Sequence, residues 1–213
     1  MIQKIKTVFA TLMVVFIIAF SYGIWHTYKE NKTEAAEIET QEIVDTLEKI
    51  ISVTKPDFER ENNQTFINSV GACVNYIYNT TTDVYPVNLE VLLAQAALES
   101  GWGNSRFAIE GKNLFGIRTY DLREPHMLPW KDKPKKWGVR VYMHECDSVQ
   151  HYIDIINNGS AYEKYRELRD NGVSDSLQYV ETLGAYASDK KYFPKLRSII
   201  KKLRTEYDIP ILN

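Results

Sequence analysis

The chain has 213 residues, 44% of them hydrophobic, which suits one globular domain with an appendage. A formal charge of −2, with no basic run in the body, excludes nucleic acid as an expected ligand. Histidines at 26, 126, 144 and 151 lie in no HExxH or CxxC context, so neither a structural metal nor a cofactor is expected.

The chain opens with Lys4 and Lys6, followed by TVFATLMVVFIIAFSYGIW, residues 7–25, a stretch without charge. That length can span a bilayer, with the lysines held inside and Tyr22, Trp25 and Tyr28 at the far interface. The expectation is a membrane segment over 1–28 with the remainder outside the cytoplasm; a signal peptide cleaved near Ala19 to Ser21 is the alternative. Residues 29–61 carry ten acids against five bases. Within them Ile43, Leu47, Ile50 and Ile51 recur at helical spacing, so 29–56 read as an acidic stalk or linker, and 57–213 as the folded domain.

The first helix of that domain is expected over 62–80, with Phe66, Ile67, Val70, Cys73, Val74 and Ile77 on its apolar side. The segment TTTDVYP breaks it. Cys73 and Cys146 read as small buried hydrophobes, although export leaves a disulfide chemically open.

The next helix is expected to start at Leu89, capped by Asn88, and to end at Gly101. Leu89, Leu92, Ala96 and Glu99 follow one another at steps of three and four, which sets Glu99 in line with the stripe that faces the core. Partial burial and the negative end of the helix both disfavour the anion, so a raised pKa is expected at Glu99. A carboxyl kept protonated near neutrality suits a general acid that protonates the leaving oxygen of a glycosidic bond. A sharp turn follows, presenting Trp102, then Asn104, Ser105, Arg106 and the run Asn113-Leu114-Phe115-Gly116-Ile117. Flat aromatic faces and amides of this kind suit a sugar cleft.

Beyond this run the period changes to two. Phe115, Ile117 and Thr119 alternate before a proline-bearing loop, and Val139, Val141 and Met143 after it, so a small β-hairpin lobe is expected. Hydrolysis of a glycoside normally needs a second carboxylate, and here Asp121, Glu124 and Asp132 are the candidates. Trp130 and Trp137 offer stacking surface or anchor the lobe. The last third is helical: one helix capped by Asp147 or Ser148 and ended by Asn158-Gly159, one through Tyr162, Tyr165 and Leu168, one from Ser176, and one from about Tyr192 to Tyr207.

LAQAALESGWGNSRFA followed by KNLFGI resembles the glycoside hydrolase family 73 glucosaminidases, in particular their Bax-like branch, and the likeness runs over about residues 60 to 205. The resemblance implies a mainly helical (α+β), lysozyme-like domain acting on bacterial peptidoglycan as an endo-β-N-acetylglucosaminidase. It places the acid on Glu99 and implies substrate contacts at Ser100, Trp102, Asn113, Phe115 and Asp121. Ala185-Tyr186-Ala187-Ser188-Asp189 resembles the family's Tyr-Ala-Thr-Asp segment, which assigns Tyr186 to the site. The hairpin lacks the Thr-x-Glu-Tyr pattern of many members. Glu124 is the nearest substitute, and the substrate's own N-acetyl group is the alternative. A lytic transglycosylase and a non-catalytic glycan-binding scaffold are the rival readings.

Overall fold

A computed structural model describes residues 54–129, 136–184 and 191–212 continuously, and among residues 1–53 it describes 20–23, 25, 26, 29, 32, 38, 40–47 and 50. The chain divides into two compact units, Met1–Ile51 and Ser52–Asn213. In the first, every described residue from 20 to 50 is helical and exposed. The apolar stretch 7–25 lies outside the described residues except at 20–23 and 25, and no helix among the described residues is long and apolar enough to cross a membrane.

The second unit begins with α1 (Asn63–Thr80), capped reciprocally by Asn62 and Thr65. Next come α2 (Leu89–Ser100) and the short α3 (Arg106–Ile109). Strands β1 (Arg118–Thr119), β2 (His126–Met127) and β3 (Gly138–Arg140) form one antiparallel sheet in the order β1-β3-β2. Then follow α4 (Glu145–Asn158), a 3-10 turn at Ser160–Tyr162, α5 (Glu163–Asp170), α6 (Ser176–Val180), a second 3-10 turn at Glu181–Leu183, and α7 (Tyr192–Glu206).

Helix α2 is the centre of the unit. Asn88 caps it by accepting from the Val91 amide at 3.2 Å, and its residues 91–97 are all buried, so it is enclosed on every side rather than on a single stripe. Ala94, Ala96 and Ala97 leave room for close neighbours, and α2 packs against α7, α1 and α6. The C-terminal tail closes this core over α1: Gln64 holds both Asp208 main-chain groups, and the Pro210 ring fills the space that a side chain at Gly71 would need.

Four expectations are corrected. The lobe has three strands rather than a two-stranded hairpin, because residues around His126 add an edge to β3. Its third strand ends at Arg140, so Val141 and Met143 lie outside it and Met143 is 94% exposed. Helix α4 begins at Glu145, ahead of Asp147, because His144 supplies the cap: its Nδ1 accepts from the Cys146 amide while Asp147 accepts from the His144 amide. Finally, Cys73 and Cys146 are joined in a disulfide between α1 and the first turn of α4, with Cα atoms 4.9 Å apart. Both are buried, as hydrophobes would be, but the bond makes them a cross-link.

Candidate active site

Glu99 lies in the last turn of α2, half-buried, immediately before the helix stops. The stop is built from three successive left-handed residues: Gly101 at φ 60°, Trp102 at 58° and Gly103 at 78°. Glycine adopts this conformation without steric cost, whereas a tryptophan does so only when its surroundings hold it. Here the indole packs against Phe66 and Tyr207, with ring centroids 6.0 and 5.7 Å away. Ser100, expected to meet substrate, is instead fully buried. Its hydroxyl donates to the Ala96 carbonyl at 2.5 Å and accepts from the Gly103 amide at 2.7 Å, which fixes the turn.

The loop at 113–117 is folded onto itself by Asn113. Its Oδ1 accepts from the Phe115 and Ile117 amides, and its Nδ2 donates to the Ile117 and Arg140 carbonyls at 2.9 and 2.8 Å, so both ends of the amide are used within the protein. Asn113 and Phe115 are each 1% exposed, and the Phe115 ring stacks on Tyr152 at 4.2 Å between centroids. Both are buried, and both shape the loop. The consequence falls on Gly116, whose φ is 64° and whose missing Cβ would lie 4.0 Å from Glu99 Oε2. A side chain there would be strained by the positive φ, and its Cβ would come into van der Waals contact with the carboxylate.

Burial is the dominant influence on Glu99 and raises its pKa; a hydrogen bond from Tyr192 acts in the opposite sense. The position at the negative end of α2 adds to the upward shift. Tyr192 stands at the start of α7 and also accepts from Gln95 Nε2 at 2.7 Å. Sequence reasoning missed Tyr192, Gln95 and Tyr152. The usable signal was Gln95, a polar residue inside an apolar helix and one turn before the acid.

Two of the three candidate second carboxylates, Asp121 and Glu124, are described, and both lie in the lobe. Glu124 Oε2 accepts from the Thr119 hydroxyl at 2.6 Å and pairs with Arg140 at 2.5 Å. Asp121 is bound by Arg123, whose guanidinium holds its carboxyl below the usual carboxylate range. Trp137, half-buried, lies under Arg118 at 4.0 Å. Trp130, Asp132 and Tyr186 lie outside the described residues. The Cys73, His144 and Cys146 side chains come within 4.8 Å of one another, but both sulfurs are committed to the disulfide, which removes them as thiolate ligands.

The turn has a buried electrostatic support. Glu145, 3% exposed, pairs with Arg60 and with Lys112 at 3.1 Å, while Arg60 also donates to the carbonyls of Gly103 and Ala108. Glu145→Gln leaves two cations without their counter-charge. Because Lys112 is partly solvated, the expected destabilisation is about 2 kcal/mol, read as a lower midpoint in thermal unfolding.

The second unit is thus a mainly helical domain with a small antiparallel sheet, and a half-buried acid ends its central helix with a glycine beside it. Residues 76–205 match the family described as Glucosaminidase, mannosyl-glycoprotein endo-beta-N-acetylglucosaminidase. The chain belongs to this family, glycoside hydrolase family 73. It is similar to exo-glucosaminidase LytG of Bacillus subtilis, 29% identical over 174 residues, which are 76% of this chain and 60% of LytG. Protein bax of Escherichia coli is 32% identical over 87 residues, 41% of this chain and 29% of that protein. The catalytic domain of the autolysin Auto from Listeria monocytogenes has a similar structure, with a TM-score of 0.52, 28% identity, and coverage of 78% of this chain and 94% of that domain. The chain thus spans under two thirds of the length of the curated relatives it matches.

Proposed function

We propose that this glycoside hydrolase cleaves β-1,4 bonds of peptidoglycan glycan strands as an endo-acting N-acetylglucosaminidase, with Glu99 as general acid and then general base. The observation that carries the reading is the half-buried Glu99 carboxyl at the end of α2, shifted toward its protonated form, with Gly116 beside it. Family membership and the exo-glucosaminidase activity named for LytG support the bond type, and the name of peptidoglycan hydrolase FlgJ from Vibrio parahaemolyticus, 30% identical over 135 residues, supports the substrate class. In the first step Glu99 gives its proton to the glycosidic oxygen as the C1–O bond breaks. Glu124 is already paired with Arg140 and Thr119, which weakens it as a nucleophile. The acetamido oxygen of the substrate therefore takes the developing positive charge at C1, and water then adds there as the Glu99 carboxylate removes its proton. Tyr186, from the segment that resembles the family's tyrosine motif, orients the sugar, and Trp102 borders it.

The same reading places the enzyme in the cell envelope, held to the cytoplasmic membrane by the segment 7–25 and raised from it by the acidic stretch 29–56, with residues 57–213 acting as the enzyme. The lysines ahead of an uncharged run support this orientation.

The test is digestion of purified peptidoglycan by the full chain, followed by reduction of the products and mass spectrometry. New reducing ends on N-acetylglucosamine are expected. Anhydro ends would replace the hydrolase with a transglycosylase, and new reducing ends on N-acetylmuramic acid would move the cleaved bond.

A further inference from the structure

A line of buried polar groups runs from the core to Glu99. The Tyr152 hydroxyl donates to Gln95 Oε1, Gln95 Nε2 donates to Tyr192 Oη at 2.7 Å, and Tyr192 is hydrogen-bonded to the Glu99 carboxyl. Tyr152 and Gln95 are fully buried and Tyr192 is 5% exposed. At its inner end the line begins on Phe115, which stacks on Tyr152. The loop carrying Gly116 and the acid beside it are therefore joined through the core.

The directions of these bonds matter. A phenol has a single proton. With the Gln95 amide donating to Tyr192 Oη, that proton is directed at Glu99, so the contact favours the carboxylate anion. Burial alone would favour the protonated acid, which serves the first half of the reaction and hinders the second, when an anion must remain to accept a proton from water.

We propose that Tyr192, oriented by Gln95 and Tyr152, is a positioning residue for Glu99: it holds the carboxylate toward Gly116 and stabilises the ionised state between the two half-reactions. The proposal rests on Glu99 being the acid and base. Among the described residues, the titratable groups on or bearing on this line are Glu99 from α2, Tyr152 from α4, Tyr192 from α7 and Tyr162 from the 3-10 turn.

The experiment is the pH profile of kcat and kcat/KM on soluble glycan for the full chain and its Tyr192→Phe and Tyr152→Phe variants. Removing the Tyr192 hydroxyl takes away a donor to the anion, so the proton is held more tightly and the alkaline limb moves upward, by about one pH unit. A fall in kcat of about tenfold with KM little changed accompanies it. Tyr152→Phe moves the limb the same way by less. A limb that stays in place in both variants, with only the unfolding midpoint lowered, overturns the proposal in favour of a packing role. Full activity in Glu99→Gln would instead remove the reading beneath it, so the two failures are distinguishable.

Discussion

Glu99→Gln is expected to lower the hydrolysis of glycan strands by about a thousandfold, with little change in how tightly the strands bind. The amide matches the carboxyl in size and its oxygen still accepts from Tyr192, so the turn and the loop keep their places. What is lost is the proton that the leaving oxygen needs. Stability should change in the opposite direction. Because burial raises the Glu99 pKa in the folded state, that state binds a proton more tightly than the unfolded chain does, and stability falls as pH rises from the ordinary glutamate range through the raised value. Glutamine escapes this cost. The variant should therefore unfold at a slightly higher temperature than the wild type at pH 7, and the advantage should shrink as pH falls through the ordinary glutamate range and vanish below it, where Glu99 is protonated in both states. Wild-type rates in the variant would defeat the catalytic assignment, and a gain in midpoint that is equal at pH 7 and below that range would defeat the electrostatic account.

Local chemistry carried the helix that holds the acid. Asn88 and Gly101 bound it because a cap and a left-handed stop act on adjacent residues, and both work as their types suggest. The strand pattern overreached, since alternation at Val139, Val141 and Met143 records only which way successive side chains would point. Pairing depends on a partner strand, and β3 is only three residues long. The residues expected to touch sugar show a related limit. Ser100, Asn113 and Phe115 belong to the motif, yet each serves the turn or the loop from beneath, and motif membership does not separate contact from support. Tyr192 was hidden for another reason. It meets Gln95 across 97 residues of sequence, and only the packing of α7 on α2 brings them together.

Opening the disulfide is the second large perturbation. The bond closes a loop of 73 residues, and in the chain-entropy account such a loop stabilises the folded state by about 4 kcal/mol. For a domain of this size the loss should lower the unfolding midpoint by about 10 °C, measured with and without reductant and in a Cys73→Ala, Cys146→Ala double variant, which avoids burying new hydroxyls. Identical midpoints under oxidising and reducing conditions would refute it. The cross-link also bears on the site through α4. Cys146 lies in the first turn of that helix, beside Glu145, which supports the turn after Glu99, and two residues before Ser148, whose hydroxyl accepts from the Leu114 amide at 3.3 Å. Asn113 still folds the loop without the bond, so activity at 25 °C should survive reduction. Near the lowered midpoint it should fail earlier than in the oxidised enzyme, because the start of α4 is then held to α1 by packing alone. An enzyme working outside the cytoplasm keeps this bond oxidised, which couples the export expected from residues 1–28 to the thermal endurance of the domain.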